Sequence, residues 1–253
     1  MAAAVDTAPG AHGQENISSD DSLTWVDVTV GTQLIKVLNW DEIKQGIITL
    51  SGQRLWPAAK LLALLMHHNP DILEGAKNVL ELGAGLGVVG IAAAKMAGHA
   101  KVMITDGEDS VVELCREHLR RNFEKDQPQC EKLFWGEGLE EFKQKHGTFD
   151  LILGSDVVEG EDSLPPFLST VKELLNSSPT AMCLQTYVER PYLPSNLIAR
   201  EAEACGLSYT YIEWENQPWA HQMVQTKDPS RWDRFSPLWA KIRIIAWMKP
   251  LSS

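Results

Sequence analysis

Apolar residues fall into short runs whose period changes along the chain. "TWVDVTVGTQLIKVLNW" alternates on both sides of Gly31-Thr32, with Val26, Val28 and Val30 sharing one face. Period two marks half-buried strands, and a two-residue loop that begins with glycine suits a hairpin turn. The pattern predicts an N-terminal β-hairpin over 22–40. In "RLWPAAKLLALLMHH", 54–68, the Leu, Ala and Met spacing marks the buried face of a helix. Pro57 falls in its first turn, where a missing N–H costs little.

From residue 77 strand and helix patterns alternate. Strands are predicted at "KNVLEL", "AKVMITD", "EKLFW", "FDLILGSD", "AMCLQTY", "SYTYIEW" and "AKIRIIAWMKP". Helices are predicted at "VVGIAAAKMA", "SVVELCREHLRRN", "PPFLSTVKELLN" and "NLIAREAEACG", the last stopped by Gly206. This alternation argues an α/β fold, a mostly parallel sheet with helices on both faces. Ligands in such sheets sit at the carboxyl ends of the strands, near the switch point. The glycines after Leu82, Asp106, Trp135 and Asp156 would gather there. No internal repeat interrupts the pattern, and 22–253 reads as one domain. Residues 1–21 carry four acids (Asp6, Glu15, Asp20, Asp21) and no Lys or Arg. They offer little to bury and read as a disordered acidic tail.

Composition narrows the partners. Among 253 residues, 23 Lys and Arg face 34 Asp and Glu, a net charge of -11. That balance argues against non-specific nucleic-acid binding, which needs cationic surface, and it suits a cationic partner. No apolar run reaches the roughly 20 residues that span a bilayer. The first residues have neither the basic nor the apolar region of a secretory signal. Cys115, Cys130, Cys183 and Cys205 lack C-x-x-C spacing and read as reduced thiols of a cytoplasmic or nuclear protein. Seven histidines show no ligand spacing, so no metal is expected. A monomer is expected.

The candidate chemistry lies in "NVLELGAGLG", 78–87. Two registers compete. Gly85-Leu86-Gly87-Val88-Val89-Gly90 satisfies G-x-G-x-x-G, and Asp106 closes a strand further on, as a dinucleotide site has it. A purely structural turn also fits. The other register starts at the strand, Glu81-Leu82-Gly83-Ala84-Gly85, with an acid two residues before the first glycine. A carboxylate there repels a pyrophosphate and attracts a ligand with a positive end. S-adenosylmethionine has an ammonium and a sulfonium, and a ribose diol for which Asp106 is an acceptor.

"LWPAAKLLALL", "VLELGAGLGVVGIAAA", "ITD", "LFWGEGLEEF" and "FDLILGSDVV" occur in this order. With them the chain resembles the seven-strand S-adenosylmethionine-dependent methyltransferases, Rossmann-like in fold. It is most similar to the protein-lysine methyltransferases that act on chaperones and elongation factors. The resemblance covers about residues 50–175. It implies that Gly83, Ala84 and Gly85 pass under the amino acid part of the cofactor and that Asp106 holds the ribose. It implies that Trp135 and Trp56 line the cofactor and that Ser155 faces it with its backbone. Glu81 would meet the cofactor's charged end, and Asp156 and Glu159 would stand on the substrate side. The family pattern after the fourth strand of the domain is Asp-x-x-Tyr; here the run is Asp156-Val157-Val158-Glu159. Tyr187 or Tyr192 is a candidate to replace the missing ring. The implied activity is methylation of lysine in a protein substrate. A small-molecule N-methyltransferase, nicotinamide-like, and a non-catalytic cofactor-binding module stay open as alternatives.

Overall fold

The computed structural model describes residues 23–40, 51–220, 223 and 241–250. Strands β1 (Leu23–Val30) and β2 (Gln33–Trp40) pair antiparallel about Gly31, whose φ is 54°. Val28, Val30, Ile35 and Val37 are buried on one face, as the alternation requires. Helix α1 (Pro57–His68) begins at the proline, and a single turn, α2 (Asp71–Glu74), follows.

Strands and helices then alternate: β3 (Asn78–Leu82), α3 (Val88–Met96), β4 (Lys101–Asp106), α4 (Asp109–Asn122) and β5 (Gln129–Lys132). After them come α5 (Leu139–His146), β6 (Leu151–Ser155), α6 (Leu164–Leu174), β7 (Met182–Val188), α7 (Ser195–Cys205), β8 (Ser208–Ile212) and β9 (Ile242–Met248). The sheet order is β5-β4-β3-β6-β7-β9-β8. The five strands from β5 to β7 are parallel, and β9 runs antiparallel between β7 and β8.

Both faces of the sheet are covered. Val79 packs with α1, α3, α4 and the hairpin, while its neighbour Leu80 packs with α5, α6 and α7. Burial on both sides is why β3 reads as a continuous apolar run. The chain leaves β3 toward β4 and β5, then returns to β6 on the other side. This reversal opens a crevice at the carboxyl ends of β3 and β6.

Two elements differ from the sequence pattern. Helix α5 has only Phe142 buried, so its period is too faint to read. Strand β5 ends at Lys132 instead of running through Trp135. Leu133 still donates to the Asp106 carbonyl at 2.9 Å, but Phe134 is 54% exposed and Gly136 turns the chain at φ 80°. The expected tail over 1–21 lies outside the described residues, as do Trp232 and Trp239 of the loop before β9. Trp219 of that loop is buried, stacked on His68 with ring centres 5.2 Å apart.

Candidate cofactor and acceptor site

The site grows from the end of β3. Gly83, Gly85 and Gly87 have φ of 61°, 52° and 72°. That left-handed region strongly favours glycine. Space adds a second reason at all three, and a β-carbon on Gly87 would lie 2.6 Å from Cys115 Sγ. A β-carbon on Gly83 would lie 2.8 Å from Val157 Cγ1, and one on Gly85 would lie 3.0 Å from the Gly52 carbonyl oxygen. The loop is tied to β4: Ala84 N–H donates to the Thr105 carbonyl, and Gly85 N–H to Asp106 Oδ2, both at 2.9 Å.

Asp106 closes β4 beside this loop. Its other oxygen accepts from Glu108 N–H at 3.1 Å. Burial pushes the carboxyl above the usual range, and the surrounding N–H groups pull it part of the way back. Each oxygen retains a lone pair for a further donor.

Glu81 is placed differently from the expectation. It is 1% exposed, and its Oε2 accepts from Gly90 N–H at 2.8 Å, in the first turn of α3. The first N–H groups of a helix have no partner within it, and a carboxyl oxygen supplies one. Burial drives the Glu81 carboxyl well above its usual range. The side chain serves the helix and does not reach the cavity.

That cavity has a volume of about 630 Å³. Nine of the ten expected site residues line it: Trp56, Gly83, Ala84, Gly85, Asp106, Trp135, Ser155, Asp156 and Glu159. Trp56 is steadied by its indole N–H, which donates to the Ser51 carbonyl at 2.9 Å. Trp135 meets Phe167 edge-on, centroids 5.3 Å apart. The adjacent Gly136 N–H donates to Thr170 Oγ1. Sequence reasoning assigned no role to Phe134, Val157 or Gly52, which line the space together with Asp162 of the acidic run 159–162. Ending the third strand of the domain at Lys132 would have moved Phe134 to the rim.

Asp156 lines the cavity, yet its carboxylate is committed elsewhere. Oδ1 accepts from Arg190 Nη1 at 3.0 Å and Oδ2 from Nη2 at 3.1 Å, and Val188 N–H adds a third bond. The residue sits at φ 53° and donates its own N–H to the Thr186 carbonyl. This arrangement folds the chain after β6 back toward Gly83, and it gives the Asp156 carboxylate a structural engagement that the sequence did not show. Glu159 and Asp162 are exposed at the mouth. Neither tyrosine considered for the missing ring lines the cavity: Tyr187 is 1% exposed in the core, and Tyr192 is 51% exposed beyond the lining.

Among the described residues no helix is long and apolar enough to cross a membrane, and no group of acids, histidines and cysteines could hold a metal. The four cysteines are unpaired.

A sheet of this order with a glycine-loop crevice is that of the Rossmann-like methyltransferases. The solved SAM-dependent methyltransferase from Agrobacterium tumefaciens superposes with a TM-score of 0.54 at 15% identity, over 89% of this chain and 70% of that one. A family model described as lysine methyltransferase matches residues 35–203, and the chain belongs to that family. Protein N-lysine methyltransferase METTL21A of Danio rerio is 39% identical over 137 residues, 51% of this chain and 58% of the relative. Histone-arginine methyltransferase METTL23 of Mus musculus is 34% identical over 143 residues, 55% of this chain and 54% of the relative. The chain thus spans little more than half the length of these curated relatives.

Proposed function

We propose that the protein binds S-adenosylmethionine in this cavity and transfers its methyl group to a lysine side chain of a protein. The observation that carries the reading is the convergence on one crevice of a glycine loop, the Asp106 carboxylate, an aromatic wall and an acidic mouth, in a lysine methyltransferase family.

The residues fit the cofactor's chemistry. Backbone at Gly83, Ala84 and Gly85 suits its amino acid part, Asp106 retains acceptor capacity for ribose hydroxyls, and Phe134 and Trp135 offer flat apolar surface for adenine. When bound, S-adenosylmethionine supplies an electrophilic methyl carbon on a sulfonium. The chain's own task is then alignment. Ser155 at the end of β6 and Val157 just beyond it border the space, and the Asp156–Arg190 pair fixes the turn that places them. Glu159 and Asp162 draw a cationic side chain to the mouth, and the solvent there takes the proton that a lysine must lose before attack.

A second acceptor is supported by one observation. Glu159 stands where the family pattern has an aromatic, and Asp162 lines the same cavity. Two carboxylates suit a guanidinium, which presents several N–H donors in a plane. METTL23 is a histone-arginine methyltransferase by name. Transfer to a small molecule remains an outcome of the test.

Unpaired cysteines support a cytoplasmic setting, and we expect the protein to act as a monomer. The test incubates it with isotopically labelled S-adenosylmethionine and a cell extract, then hydrolyses the labelled protein. Methyl-lysine is the expected product. Methyl-arginine selects the second acceptor, and label confined to small molecules overturns the protein substrate.

A further inference from the structure

The hairpin touches the cofactor loop through one buried side chain. His118 on α4 is fully buried. Its Nδ1 lies 2.9 Å from the Leu86 carbonyl oxygen, inside the glycine loop. Its Nε2 lies 2.9 Å from Leu38 N–H on β2. A carbonyl only accepts and an N–H only donates, so one tautomer satisfies both: Nδ1 protonated, Nε2 bare. Burial lowers the imidazole's affinity for a second proton, bringing its pKa to about 4. The ring is neutral and bifunctional at neutral pH.

The contact is part of a docked edge. Among the described residues β2 pairs only with β1, and no described strand lies on its other edge. Helix α4 supplies the missing groups. Asn122, one turn beyond His118, accepts from Lys36 N–H at 2.9 Å and donates to the Lys36 carbonyl at 2.6 Å. Positions 36 and 38 are alternate residues on one edge, so the amide and the imidazole read it as a third strand would. Trp25 of β1 adds a ring contact to His118, 5.8 Å between centroids. The far end of this arrangement is Leu86, held between two glycines of positive φ. A glycine-rich segment has many accessible conformations, so an external anchor on its central carbonyl limits where it rests.

We propose that His118 is a positioning residue that makes docking of the β1–β2 hairpin and placement of the cofactor loop one event. The hairpin then raises cofactor affinity without touching the cavity through its own strands. This inference rests on the reading of the cavity as an S-adenosylmethionine site. Coupling between two sites is reciprocal: if docking favours the cofactor, the cofactor favours docking by the same factor.

The test uses the full chain and S-adenosylhomocysteine, with calorimetry and amide exchange as readouts. In the wild type, ligand should slow exchange of the Leu38 amide. Asn122→Ala loosens the docked edge away from the loop and should weaken ligand binding about fivefold to tenfold, within the ordinary range of coupling. His118→Asn places an amide near Nδ1, keeping the Leu86 bond and losing the Leu38 bond. In that background Asn122→Ala should no longer change affinity, since neighbours lose their interaction energy once the link is cut. Unchanged Leu38 exchange on ligand binding overturns the proposal. So does an Asn122→Ala effect that persists beside His118→Asn. Wild-type protein that does not bind the ligand overturns the cavity reading first, and this inference with it.

Discussion

Asp106 Oδ2 and the Gly85 amide nitrogen lie 2.9 Å apart, so the carboxylate that closes β4 also holds the loop that leaves β3. One side chain thereby ties the end of β4 to the β3 loop on one side of the crevice. Its second oxygen turns to Glu108 N–H and orders the entry to α4. Asp106 therefore shapes the pocket and offers acceptors to its occupant.

Replacing Asp106 by alanine should weaken S-adenosylmethionine binding by about 1.5–3 kcal/mol, the range for losing hydrogen bonds to a charged group. The glycine loop should exchange its amides faster in the same variant, because the Gly85 bond is lost. Calorimetry and amide exchange measure the two effects. Wild-type affinity would reduce Asp106 to a structural anchor.

Glu81 leads to the opposite expectation. Its carboxyl serves Gly90 N–H and not the cavity, so Glu81→Gln should leave cofactor affinity close to that of the wild type. Stability carries the pH signature. A carboxyl whose pKa is raised on folding holds a proton that the unfolded chain releases above about 4.5. Its contribution is complete below that value and is lost as pH rises through the folded pKa. Wild type should therefore lose stability relative to Glu81→Gln as pH rises from 4.5, in denaturant titrations. A pH-independent difference contradicts this.

The glycines and Asp106 were legible as lining residues because a strand end followed by small or acidic residues marks a crevice in an α/β sheet, whereas Ser155 came from the family resemblance and Trp135 lines the cavity from beyond the end of its strand. Other features depend on partners far along the chain. Arg190 meets Asp156 from 34 positions away, and no local pattern pairs them. Glu81 looked like a ligand group because spacing shows an acid beside a glycine loop but not the direction of its side chain. Phe134 was hidden inside an apolar run that leaves the sheet three residues early, and α5 has too few buried positions to carry a period.

The Asp156–Arg190 pair gives a stability prediction. Asp156→Ala leaves a guanidinium that is largely buried without its carboxylate, and breaking such a pair costs about 3–5 kcal/mol. Adding Arg190→Met should restore part of that loss, as urea denaturation of the single and double variants would record. If the second change adds a further loss of equal size, the pair is not acting as a unit.

Glu159 stands at the mouth, where it should act on the acceptor. Glu159→Gln should raise KM for a verified protein substrate while cofactor affinity stays unchanged. Unchanged KM and kcat would return the residue to solvent.

The central claim is that the crevice holds S-adenosylmethionine. Calorimetric titration of the wild-type protein with S-adenosylmethionine, S-adenosylhomocysteine and NADH tests it most directly. The account predicts saturable binding of the first two and no competition from NADH; saturable NADH binding with no signal from either methionine derivative contradicts it.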